Sequence, residues 1–337
     1  MTAAVPDAPA PSGAVVDPWA LGGAGAPGAA GTIGTAGTAL DRIVAQARAG
    51  AYGPDPAGQR IALAFGTAQA VRHPGRACGY RNEVLSLRLG EAVGSCAVEP
   101  GGLPADTLAD CVGASVAELL DHPLTPVRVA ALDAYLAHCL PHGWAHGARR
   151  VTVPAGSSLE KSRARAGAVV RLLPLARVRR VLVVGVVNSL LEQLRSRGVG
   201  YLPCDLKGGT TEWGEPVHPD APGLLDACDA ILASGMTLGN GTLDPLLAHA
   251  RATGKPLVLF AQTGSAVLPR LLGRGVSAVS AEPYPFFWLD GGPSTIHLYG
   301  GDGHGHTPGH TPDHGRAPAP ARTPDCGDVA PVGGEGR

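Results

Sequence analysis

Residues 181–189 read Val-Leu-Val-Val-Gly-Val-Val-Asn-Ser. Four apolar, mostly β-branched residues run together and end on a glycine. A strand buried on both faces gives such a run, because neither face meets water. Gly185 then supplies a turn. Asn188 or Ser189 can cap the helix that follows, Leu190–Arg197. The same grammar recurs downstream. Tyr201 and Leu202 form a second strand ending at Pro203-Cys204-Asp205. Ala230–Ala233, Leu257–Phe260 and Ser277–Ser280 read as the third, fourth and fifth. Leu243–Arg251 and Val267–Leu272 read as helices. Strand and helix alternating at short spacing predict a parallel, doubly wound, Rossmann-like sheet over residues 150–299. Ahead of it, Ser157-Ser158-Leu159-Glu160 fits a capping box. The helix it opens runs to about Leu173, and Pro174 ends it.

Upstream the grammar differs. Leu40, Ile43, Val44 and Ala47 fall at helical spacing, with Gly50 as a stop. Arg60–Phe65 and Glu83–Leu89 read as strands, Thr107–Leu120 and Pro126–Cys139 as helices. Residues 39–145 are therefore expected to form a small α+β domain. Residues 1–38 and 300–337 have no helical or strand periodicity. They are rich in Gly and Pro, and the second stretch also in His. Neither can repay its ordering entropy, so both are expected to be disordered tails.

Composition closes several function classes. The 337 residues carry 27 Lys and Arg against 28 Asp and Glu, a net charge of -1. That balance argues against a globally basic nucleic-acid binder. Residues 149–180 are locally basic, with eight arginines and Lys161 against Glu160 alone. They read as a solvated helix face and linker. No apolar run reaches about 18 residues, so no membrane partner is expected. The N-terminus lacks a secretory pattern. The seven cysteines form no C-x-x-C pair. Reduced thiols in the cytoplasm are the expectation. The sequence leaves a homo-oligomer open.

In an open parallel sheet, ligands bind beyond the carboxyl ends of the strands. Four segments lie there. Gly185 to Ser189 begins like a dinucleotide turn, but Val187 and Leu190 occupy places where G-x-G-x-x-G has glycine. Asp205, twenty residues after Gly185, stands where an acid can accept from a ribose or another diol. Ser234 to Thr242 is the richest segment: Thr237, Asn240, Gly241 and Thr242 sit in a turn whose N–H groups can hold a carboxylate or phosphate. An Asn-Gly turn with Thr242 as helix cap is the structural alternative. Gly264 and Ser265 form a fourth, similar loop. His138, His142 and His146 have the fourfold spacing of a metal site on one helix face. Pro141 and Gly143 interrupt that helix. Cys78-Gly79-Tyr80-Arg81-Asn82-Glu83 is a polar loop before a strand. No G-x-S-x-G, H-E-x-x-H or P-loop lysine pattern is present.

The run Gly235–Leu247 (GMTLGNGTLDPLL), preceded by Cys228-Asp229-Ala230-Ile231, resembles the Rossmann-like family labelled putative heavy-metal chelation. The resemblance covers roughly residues 40–300. It implies an enolase N-terminal-like first domain at 39–145 and an Asn-Gly-Thr turn at Asn240–Thr242. It also implies a loop at Gly264-Ser265 where the family has Gly-Pro-Ser; here Thr263 precedes the glycine and Ala266 replaces a proline. The expected function is binding of a small molecule or metal chelate in the cleft between the two domains. The alternative is an enzyme of small-molecule (secondary) metabolism using a nucleoside cofactor, S-adenosylmethionine ahead of NAD. A divalent metal would be the group handled under the first reading.

Overall fold

The computed structural model describes residues 37–73, 79–144 and 147–301. The expected tails lie outside these residues except at their inner ends. Thr38 caps the first helix, and Gly300 closes the last strand. The described residues from Thr38 on cluster as one compact unit.

Helix α1 (Ala39–Arg48) opens on a capping box between Thr38 and Asp41 and buries Leu40, Ile43, Val44 and Ala47, the stripe its spacing dictates. An antiparallel meander follows: β1 (Leu63–Val71), β2 (Tyr80–Leu89) and β3 (Ala92–Val98), in the order β1-β2-β3. The strand expected at Arg60–Phe65 starts later and runs to Val71; Arg60 itself makes only an isolated bridge to Ser115. The helix expected over Thr107–Leu120 is two short ones, α2 (Thr107–Cys111) and α3 (Val116–Leu120). Gly113, at φ +80°, breaks the run, and Ser115 restarts it with a capping box to Glu118. Helix α4 (Thr125–Cys139) is apolar almost all round. That follows from its place, packed on β2 and β3 on one side and buried in the shared core.

The second sheet has seven strands. They are β4 (Ala148–Val153), β5 (Arg180–Val184), β6 (Gly200–Cys204), β7 (Ala230–Ser234), β8 (Leu257–Ala261), β9 (Ala278–Ala281) and β10 (Ser294–Gly300). Their order is β4-β10-β9-β8-β7-β5-β6. The five adjacent strands from β9 to β6 are parallel, as expected, while β10 runs antiparallel to β9 and to β4. Strand β4 was not expected. It is an edge strand with exposed Arg149 and Arg150, so its sequence carries the charges that block further pairing in place of an apolar run.

Helices α5 (Ser158–Val170) and α6 (Asn188–Arg195) pack together on one face over Val181, Val183, Leu232, Val258 and Phe260. The Ser157–Glu160 capping box is present, and α5 ends at Val170, a little before Leu173. The other face, with Leu182, Val184, Ile231, Ala233 and Leu259, is covered by α8 (Leu243–Thr253) and by the core that includes α1 and α4. Helices on both faces explain the continuous apolar runs. Both expected caps of α6 are replaced: Val187 stands at the cap position, and Ser189 bonds Ser162 across the two helices at 2.9 Å.

Close approach between β3 and α4 depends on one glycine. A Cβ on Gly94 would sit 1.9 Å from the Ala134 amide nitrogen and 2.3 Å from the Ala130 carbonyl oxygen. These are backbone atoms and cannot rotate away. Gly94→Ala is expected to destabilise by about 3 kcal/mol or more, whereas Gly58→Ala, with open space around it, should melt within about 0.5 kcal/mol of the parent. Chemical denaturation of both variants checks this.

Candidate functional site

Counting only the parallel strands in chain order, the sheet is wound 2-1-3-4-5. The order reverses between β5 and β7, so the crevice opens there, beyond their carboxyl ends. Gly185 and Ser234 face each other across it. Gly185 has φ +87°, and a Cβ on it would meet the Ser234 Cβ at 2.7 Å. Only glycine satisfies both the backbone angle and the space.

A cavity of about 320 Å³ sits in this crevice, lined by Val184, Gly185, Cys204–Lys207, Ser234, Met236, Thr237, Asn240–Thr242 and Pro245 among others. Gly185, Asp205, Thr237, Asn240, Gly241 and Thr242, all singled out from sequence, thus meet at one place. Asn188, Gly264 and Ser265 do not line it. Glu99, just past β3, closes one side and pairs with Lys207 at 2.8 Å. Both partners are well exposed, so the pair acts more as a loose latch than as a source of stability. Ser234 and Met236 fall within the Ser234–Thr242 segment without being singled out there, and Glu99 carries no signal in the sequence alone. Recognising β3 would have placed Glu99 at a strand end.

Each lining side chain is oriented by its own loop. The Asp205 carboxylate accepts from the Val186 N–H at 3.2 Å and the Lys207 N–H at 3.1 Å, fixing both turns around one acid. Thr237 donates its hydroxyl to the Ser234 carbonyl at 2.7 Å. The segment expected to be an open turn holds a short helix, α7 (Met236–Gly239). Asn240 has φ -98°, and the left-handed residue is Gly241 at +78°. The Asn240 amide oxygen accepts from the Thr242 N–H at 3.1 Å and the Thr242 hydroxyl at 2.7 Å. Its NH₂ is left for the cleft it lines. Thr242 stands at the cap position of α8 but makes no side-chain cap bond, so the expected role as capping hydroxyl is replaced by this Asx turn. The N-terminus of α8 faces the cleft without a side-chain cap, and its dipole favours an anion. Cys204 also lines the cavity. Burial, with Asp205 and Asp220 adding to it, pushes its thiol up to about 11, so it stays protonated and is a poor nucleophile or metal ligand.

Residues 168–281 match the DUF364 family, whose description is "Putative heavy-metal chelation". The matched stretch contains β5 through β9 and the Gly235–Leu247 run, and it bears out the resemblance read from that run. Two solved structures of DUF364 proteins, both of unknown function, are similar. One is from Pyrococcus horikoshii: 17% identity, 72% of this chain and 86% of that one, TM-score 0.46. The other, from Desulfitobacterium hafniense, has 17% identity over 72% of this chain and 83% of that one, TM-score 0.47. A mandelate racemase/muconate lactonizing enzyme structure from Sorangium cellulosum, itself titled putative, has 15% identity over 62% and 85%, TM-score 0.31. No curated protein matches the sequence.

Within the DUF364 stretch, the N–H groups of the Gly264-Ser265 loop already have an acceptor. Asp133 of α4 is 1% exposed. It accepts from the Ala266 N–H at 2.6 Å and the Ser95 N–H at 2.9 Å, with Ser265 and Val267 N–H groups also directed at it. The loop's donors are turned toward this carboxylate, beneath the sheet's end. The histidines are likewise apart. His142 is buried, bonded to the Tyr299 hydroxyl at 2.7 Å and stacked on His297. Burial, then the neighbouring His297 and Arg270 charges, holds it down to about 3. His138 is exposed beside Gly90, and His146 lies outside the described residues. No helix among the described residues is long and apolar enough to cross a membrane.

Asp133 has a pH signature. Burial pushes its carboxyl up to about 7 against the pull of its backbone donors. A carboxyl raised in the fold stabilises most below its unfolded value of about 3.9, and that contribution is lost as pH rises toward 7. Stability should therefore fall between about pH 4 and pH 7. Asp133→Asn should lose this slope. It should also melt lower throughout, because an amide NH₂ would confront a backbone donor. Denaturation midpoints of both proteins across this range test it.

Proposed function

We propose that the chain binds a carboxylate-bearing small molecule, or the metal chelate of one, in the cleft at the β5–β7 crossover. The carrying observation is that Gly185, Asp205, Thr237, Asn240, Gly241 and Thr242 line one cavity of about 320 Å³, within the size range of small-molecule sites. The chemistry of the lining supports an oxygen-rich ligand. The α8 N-terminus and the Asn240 NH₂ suit a carboxylate. Asp205 suits a hydroxyl or a chelated cation.

The family description supplies heavy metal as the cargo. Among the described residues, no three His, Cys, Asp or Glu side chains stand together as a metal-ion site. A bare ion therefore finds no ligand set here, whereas a chelate brings its own donors and needs only recognition of its outer atoms. That favours chelate over ion. A nucleoside cofactor such as S-adenosylmethionine has no support in the family description, and NAD is further disfavoured because the turn after β5 lacks the second and third glycines of the dinucleotide pattern.

Thermal shift with Zn²⁺, with citrate, with both together and with nucleosides is the experiment. Zn²⁺-citrate, or citrate alone, should raise the melting temperature, and Zn²⁺ alone should not. Asp205→Ala should weaken that binding by about 1.5–3 kcal/mol. Asn240→Asp retains the acceptor that Thr242 uses and replaces the NH₂ by an anion. It should keep stability within about 0.5 kcal/mol yet weaken citrate binding at least as much. A shift with nucleosides only, or unchanged citrate affinity in both variants, would remove the reading.

A further inference from the structure

On the opposite side of the sheet from the cleft, a second polar cluster lies at the carboxyl ends of β8 and β9. Ala261 and Ala281 pair in register, so the next residues, Gln262 and Glu282, end their strands side by side. Both fall on the face of Phe260 and Ser280, beneath α5. Arg165 of α5 is 4% exposed and Glu282 1%. The Arg165 Nε donates to Glu282 Oε1 at 2.9 Å, and the Ser280 hydroxyl donates to the same oxygen at 2.9 Å. The guanidinium lies over the rings of Phe260 and Phe287, 4.7 Å and 5.7 Å from their centroids.

The hydrogen-bond inventory is incomplete in a patterned way. The two Arg165 Nη nitrogens have no partner among the described residues. Two buried atoms beside this pair are also unpartnered: Gln262 Nε2 and Glu282 Oε2. Buried polar groups are normally satisfied, and an unsatisfied group in a native fold calls for an explanation. Here the open atoms sort into two kinds. Arg165 and Gln262 offer donors. Glu282 offers an acceptor.

We propose that this cluster is a second binding site, for an α-amino acid or a similar amino-carboxylate. The carboxylate would take the forked Arg165 donors and the Gln262 amide. The ammonium would meet the free oxygen of Glu282. Phe260, Phe287 and the nearby Tyr80, which senses the Arg165 charge, form apolar walls that strengthen these contacts. The site is separate from the β5–β7 cleft and does not depend on its ligand.

The test uses the full chain, with thermal shift and calorimetry against standard L-α-amino acids. Matched carboxylic acids lacking the amine, and amines lacking the carboxylate, serve as partial probes. At least one amino acid should bind, and neither partial probe should match it. Gln262→Met removes an amide nitrogen that has no partner in the protein. It should melt at or above the parent without ligand, yet lose about tenfold or more in affinity. Glu282→Gln should weaken amino acids and leave carboxylic acids unaffected. Asp205→Ala should leave amino-acid binding intact. The proposal falls if no amino acid binds at up to ~10 mM, or if a carboxylic acid binds as well as its amino acid. It falls equally if Gln262→Met binds normally, or if Asp205→Ala abolishes binding, which would move the ligand to the cleft.

Discussion

One buried carboxylate fastens the two sheets of this protein to each other. Asp133 belongs to the helix that covers the antiparallel meander. Its oxygens receive the Ser95 N–H from that meander and the Ala266 N–H from the loop after β8 of the parallel sheet. Burying an acid is costly unless every lone pair finds a donor, and here backbone groups supply them. The cost makes the arrangement specific. Shifting either sheet against α4 would leave a carboxylate, or the amides that face it, unpaired. A second bond runs the same way: the Ala97 N–H donates to the Thr263 hydroxyl at 2.8 Å.

Close approach follows from that constraint. Where α7 meets β3, a Cβ on Gly239 would come within 2.8 Å of the Cys96 sulfur; at Gly235 it would meet the Thr263 carbonyl oxygen at 2.6 Å. These two glycines let the segment after β7 lie flat between the layers. The segment then emerges at the crossover with Asn240 and Thr242 locked in an Asx turn, beside Gly185 and Asp205. The cleft is thus a consequence of how the layers are joined. It opens where neighbouring strands lead their chains to opposite faces, and the Glu99 side of it is contributed by the meander.

The parallel strands were legible because burial on both faces writes itself as unbroken Val, Leu and Ile. The residues beyond their ends were legible because a known sheet geometry says where ligands go. Less could be read where tertiary context overrides local pattern. β3 carries Gly94, Ser95 and Cys96, which look weak as a strand, yet these small or donor-bearing residues are what α4 and Asp133 require. β4 hid behind its arginines. The Gly264-Ser265 loop looked like Ser234 to Thr242, glycine and hydroxyl in a turn after a strand. Nothing local reveals that its N–H groups face a carboxylate 133 residues away in the chain from Ala266. Arg165, one arginine in a basic stretch, gave no hint of burial; only the fold sets Glu282 against it.

The proposed role of the cleft is to hold a carboxylate or its metal chelate by outer-atom recognition. Diffraction from crystals grown with Zn²⁺-citrate, measured at the zinc absorption edge, examines that most directly. Citrate is expected between Gly185, Asp205 and Asn240, with any anomalous peak bound by citrate oxygens. A peak at His138 or His142, or citrate bound away from the crossover, would contradict it.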